Sequence, residues 1–95
     1  MYADNFMLYQ NYPNPFNSET MIKFNISHSD HIRLDIFNVL GMHIRTLVDE
    51  RRNHGTFYQI WDGLDEKGRS VPTGIYFYRL MTSNYFEIKK LMIIE

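Results

Sequence analysis

Along most of this chain apolar residues recur at every second position. Ile22, Phe24 and Ile26 alternate with Met21, Lys23 and Asn25, the period of a half-buried strand. His28-Ser29-Asp30 supplies a turn, and the period returns in Ile32, Leu34 and Ile36, with Phe37 an apolar exception on the outer face. Asn38-Val39-Leu40-Gly41 reads as a tight connection, since Gly41 is free to take positive φ. Met42 and Ile44 resume the alternation. Its phase slips at Thr46-Leu47-Val48, which predicts a bulge or a strand end there. Asn53-His54-Gly55 breaks the chain again, and residues 56–61 form the next β-rich run. A polar loop punctuated by Asp62-Gly63 and Lys67-Gly68 closes at Val71-Pro72-Thr73-Gly74. Residues 75–82 are apolar on both faces and therefore predict a central strand, which Ser83-Asn84 turns back into a last strand over 86–94.

Helical spacing never persists for two turns. About seven short strands, with turn signals at roughly 8–12-residue intervals, predict an all-β, antiparallel sandwich. Its core is expected from Ile22, Phe24, Ile32, Leu34, Ile36, Trp61, Tyr76, Tyr78 and Leu80.

The opening segment, residues 8–17, is of another kind. LYQNYPNPFN holds Pro13 and Pro15, which bias Tyr12 and Asn14 toward extended geometry and cannot donate to a ladder. It belongs at a sheet edge or beyond it. Asn11, Asn14 and Asn17 can satisfy local backbone groups, and Tyr12 and Phe16 are expected as apolar plugs over one end of the sandwich.

Composition narrows the function classes. Ninety-five residues make one domain, 1–95. Ten basic residues against eleven acidic ones create no field for nucleic acid or an anionic membrane. The run Asp49-Glu50-Arg51-Arg52 is internally neutral and reads as a solvated loop. The absence of cysteine excludes disulfides and thiolate zinc sites. No apolar run reaches the roughly 18 residues of a spanning helix, so no direct membrane insertion is expected. The start lacks a basic-then-apolar signal pattern, and an export signal is expected elsewhere.

Candidate chemistry is sparse. His28, His31, His43 and His54 lack the converging partners a zinc ion needs, and no serine sits in a nucleophile elbow. Residues 62–68 superficially resemble a calcium loop without its ligand spacing, so a turn is the better reading. Asn25-Ile26-Ser27 is formally a glycosylation acceptor, but lies within a strand. Tyr58, Phe37, Phe77 and Tyr85 are candidates for an outward aromatic surface. No cofactor, metal or catalytic residue is expected.

Three stretches in order, LYQNYPNPFN, IFNVLGMHIRTLV and WDGLDEKGRSVPTGIYFYRL, closely resemble the C-terminal sorting domains of type IX secretion. Those domains share an immunoglobulin-like fold with the accessory domain of flagellar hook-capping proteins. The resemblance implies a non-catalytic module at the end of a larger secreted protein, following an upstream cargo domain and read by the outer-membrane translocon. It implies signal-processing proteins as further partners, and a route through the periplasm to the surface or medium. Lys89 and Lys90, followed by Leu91 and Ile93, match the family's closing pattern and are the candidate recognition residues. Asn14, Pro15, Phe16, Gly41, Trp61, Asp62, Gly63, Gly68, Gly74 and Tyr76 match its motifs as shape-forming positions. Ser18 and Gln59 depart from the pattern, where proline and an apolar residue are usual, as does Glu95 in place of a basic residue. The other readings are an adhesive or carbohydrate-binding immunoglobulin-like module, or a hook-cap-like assembly domain.

Overall fold

The computed structural model describes residues 6–94. Seven strands follow in chain order: β1 (Met7–Leu8), β2 (Thr20–Ile26), β3 (Asp30–Phe37), β4 (His43–Arg52), β5 (Gly55–Trp61), β6 (Gly74–Met81) and β7 (Phe86–Ile93). They form two antiparallel sheets, β1-β2-β5 and β4-β3-β6-β7, the three-on-four layering of an immunoglobulin-like sandwich. β6 lies between β3 and β7, the interior place in its sheet that its apolar sequence predicts.

The alternation places the core. Ile22, Phe24 and Ile26 of β2 face Ile32, Leu34 and Ile36 of β3 and Tyr76, Tyr78 and Leu80 of β6; all are buried, as is Trp61. Every residue expected inside from periodicity is therefore inside. Phe37 turns outward, as its phase requires. The slip at 46–48 is a bulge: Leu34 pairs Val48 while Asp35 pairs Thr46, leaving Leu47 as the extra residue. A second irregularity skips Ile44 between Arg45 and His43.

Three expectations need correction. The charged run 49–52 is no loop; it completes β4, with Asp49, Glu50, Arg51 and Arg52 paired to Arg33, Ile32, His31 and Asp30. Its side chains still mostly meet solvent, so charge reported exposure correctly and backbone state incorrectly. Tyr12 does not plug the core. Its backbone exchanges two hydrogen bonds with Met21, and its ring stays 76% exposed. Phe16 alone plugs, fully buried against Trp61 with ring centroids 5.8 Å apart. Among the outward aromatic candidates, Tyr58 is exposed and Phe37 and Phe77 half-exposed, whereas Tyr85 packs against the core and Phe6.

Candidate functional site

The last strand and the opening tape build one feature together. β7 has β6 on one side only, and a bare edge would offer unpaired N–H and C=O groups to any passing strand. Residues 10–16 close it. Gln10 Nε2 donates to Lys90 O at 2.7 Å, and Met92 N donates to Asn14 Oδ1 at 3.0 Å. Phe16 N donates to Met92 O at 3.1 Å, and Ile94 N donates to Phe16 O at 2.8 Å, a short parallel bridge. The prolines fit between these contacts because they bring no N–H that needs a partner.

The tape is held from beneath as well. Asn11 is buried, and its N–H donates to the Tyr78 hydroxyl at 2.8 Å; that hydroxyl donates to Tyr9 O at 2.8 Å. Asn11 Nδ2 donates to Thr20 Oγ1 at 2.9 Å, and Thr20 Oγ1 donates to Pro13 O at 2.8 Å. Burial pushes the Tyr78 hydroxyl up to about 12, keeping it neutral and able to serve both partners.

Strand parity sorts the candidate recognition residues. Glu87, Lys89, Leu91 and Ile93 point to one side of β7, Ile88, Lys90 and Met92 to the other. Leu91 and Ile93 are buried in the core, so their side chains are not presented by the folded domain. Lys89 is not openly exposed either. It pairs with Glu87 at 3.4 Å, and Glu87 also accepts from the Tyr85 hydroxyl at 2.6 Å. The Tyr85 bond, with Lys89 beside it, holds the Glu87 carboxyl below the usual range. Lys90 stands exposed on the opposite face with no ion pair among the described residues. The structure thus separates the two lysines that adjacency in sequence joined.

The motif positions make corners. Asn14 caps the edge of β7, with Pro15 leading into the buried Phe16. Trp61 Nε1 donates to Leu64 O at 3.0 Å, and its ring meets Tyr76 edge-on at 5.8 Å. Tyr76 in turn donates its hydroxyl proton to Pro72 O at 2.7 Å. Asp62 Oδ1 accepts from Leu64 N and from Arg45, while Gly63 and Gly68 take φ of 76° and 79°, which other residues adopt with strain. Gly41 and Gly74 occupy the same half of φ space. In the 62–68 loop the Asp65 carboxylate accepts from Lys67 N and Arg69 N, so its oxygens are spent on the turn itself. His31 and His43 each engage one carboxylate, Asp49 at 2.6 Å and Asp35 at 3.2 Å.

Asp35 was not foreseen. Its position on the outer face predicts solvent, yet its carboxylate is fully buried beneath Arg33 (2.9 Å), Arg79 (3.3 Å), His43 and the Thr46 hydroxyl (2.7 Å). Burial alone would raise its pKa; the Thr46 hydrogen bond and the Arg33 guanidinium outweigh that and hold it below the usual range. The two bulges in β4 bring His43 and Thr46 over it, and no local sequence pattern encodes that convergence.

The chain superposes on the crystal structure of dimeric latent PorU from Porphyromonas gingivalis with a TM-score of 0.78 at 14% identity. The match covers 99% of this chain and 10% of that one, so the shared fold spans about a tenth of the larger protein. No curated protein sequence matches. The family described as secretion system C-terminal sorting domain matches over residues 10–95, which takes in the tape, the tight turn, the tryptophan corner and β7. With nearly its whole length inside that match, the chain belongs to the family of type IX secretion system C-terminal sorting domains.

Proposed function

We propose that this domain directs a larger polypeptide across the outer membrane by type IX secretion, acting through recognition and making or breaking no bond itself. The family match over residues 10–95 carries the proposal. The motif residues support it, because Trp61, Tyr76 and Asn14 are each committed to a corner, the core or a cap. The partners are the translocon and signal-processing proteins, with cargo upstream in the same polypeptide, travelling by way of the periplasm to the surface or medium.

Within β7 we assign recognition to Lys90. Leu91 and Ile93 serve it indirectly, by fixing the strand against the core, and Lys89 does so through its pair with Glu87. The test is a periplasmic reporter fused ahead of residues 1–95 in a type IX-competent cell. The intact fusion is expected outside. Lys90→Glu is expected to fold, since exposed substitutions change stability within about 0.5 kcal/mol, and to be exported less. Retention of the intact fusion would overturn the sorting proposal; full export of folded Lys90→Glu would remove this lysine from it.

A further inference from the structure

The turn between β3 and β4 ends the molecule in an apolar finger. No charged residue lies between Asp35 and His43, and Val39, Leu40 and Met42 are 64%, 78% and 55% exposed. Most N–H groups of this finger are satisfied from within. Asn38 Oδ1 accepts from Leu40 N at 2.9 Å and from Met42 N at 3.0 Å. Asn38 N donates to Met42 O at 3.0 Å and Gly41 N to Asn38 O at 2.9 Å. Such a turn leaves water at lower cost, because the N–H groups of Asn38, Leu40, Gly41 and Met42 are already paired within it.

Beside the finger lies an open depression of about 430 Å³, walled by Phe37, Val39, Phe77, Ile88 and Arg79. Register sets Arg79 next to Ile88 and Phe77 next to Lys90, so two cations alternate with apolar side chains on one face. Lys90 has no ion pair among the described residues. Arg79 lies over the Phe37 ring at 4.7 Å and gives one nitrogen to Asp35, while its buried Nε has no partner. The carboxylates around this face are engaged: Asp35 by Arg33, His43 and Thr46, Glu66 by Thr46 N, and Asp65 by its own loop.

We propose that the finger and its basic rim dock on the surface of an anionic lipid bilayer. Val39, Leu40 and Met42 enter the boundary between headgroups and acyl chains, and Arg79 and Lys90 meet the anionic headgroups. Shape favours lipid over a protein partner. A stable protein interface buries about 1,200–2,000 Å² against a complementary surface, whereas lipid closes around a convex tip of three side chains. The whole-chain balance of ten basic and eleven acidic residues conceals this local arrangement, which is why composition alone argued against a membrane. The inference does not rest on the sorting role.

The experiment is co-flotation of the 95-residue chain with phosphatidylcholine vesicles, with and without phosphatidylglycerol. Binding to the anionic vesicles is expected, weaker by about tenfold or more in Val39→Ser/Leu40→Ser and reduced in Lys90→Gln. Melting curves are expected to stay superimposable, since none of these side chains is in the core. In a Leu40→Trp variant, emission is expected to shift to the blue on adding anionic vesicles, beyond any shift of the parent chain's Trp61. Absence of vesicle binding, equal binding by the serine variant, or equal binding to neutral vesicles would each overturn the proposal. So would a photocrosslinker at position 40 that, in cells, captures a polypeptide and no lipid.

Discussion

Replacing Tyr78 by phenylalanine removes one oxygen from the point where the opening tape meets the core. The ring remains, so no cavity opens and the apolar packing is kept. Two partners lose their bond: the Asn11 N–H and the Tyr9 carbonyl, both 2.8 Å from the hydroxyl. Tyr9 is half-exposed and its carbonyl can take a water in exchange. Asn11 is buried, and a stranded N–H there costs about 1–3 kcal/mol. A loss of about 2 kcal/mol corresponds to a fall in Tm of about 8–16 °C for a domain of this size. Alkaline unfolding supplies a second, independent reading. The Tyr78 hydroxyl is raised from 10.0 to about 12 by burial, so the unfolded chain loses this proton first. Stabilisation from this group is therefore fully present below pH 10 and is lost as pH rises toward 12, by about 2–3 kcal/mol in all. Tyr85, also pushed up to about 12 by burial and by its bond to Glu87, titrates in both proteins and cancels in the difference. Urea unfolding at neutral pH and again near pH 12 measures both effects. The two proteins are expected to differ clearly at neutral pH and to converge in alkali. A neutral-pH difference under about 0.5 kcal/mol, or one that does not shrink in alkali, would refute the tie between Tyr78 and the tape.

Two further substitutions test the sandwich. Leu34→Ala, at a fully buried position on β3, is expected to cost about 2–5 kcal/mol by urea unfolding, and a surface-like loss would contradict its place in the core. Asp35→Asn is expected to cost about 2–3 kcal/mol, because two guanidinium groups keep their positions and lose their anion. Asp35 is depressed in the folded state, so its contribution is present above pH 3.8 and lost as pH falls below it; the variant's stability should therefore decline less steeply in acid, and an unchanged acid limb would contradict the network.

How far the sequence carried the fold is clearest on β7. Leu91 and Ile93 were apolar at period two, which is sufficient to bury them and to put Lys89 on their side. Treating Lys89 and Lys90 as a matched pair ignored that parity, although the signal was present. The tape was legible in type, since prolines at short spacing exclude a helix and a central strand. Its partner was not legible: Gln10 and Asn14 reach residues 80 and 78 positions away, and only the folded sheet determines which edge they meet. Asp35 shows the opposite limit. Period two located its face correctly, but exposure there depends on which long side chains lean over it, and two bulges on a neighbouring strand decide that. The charges at 49–52 misled for a related reason, because a strand at a sheet margin needs a paired backbone and can keep its side chains in water.

The tape also sets an order on assembly. A ribosome makes residues 10–16 before β2, whereas the strand they cover, β7, is made after the other six. Until residues 90–94 emerge, Asn14 has no amide to accept from and the Phe16 backbone has nothing to bridge. Contacts that close loops of such length add little to early folding and a great deal to the finished structure. A chain interrupted just before β7 keeps most of its strands but cannot fasten its first segment to its last. Completion of the seal therefore reports, in a single local geometry, that translation has passed through the whole domain.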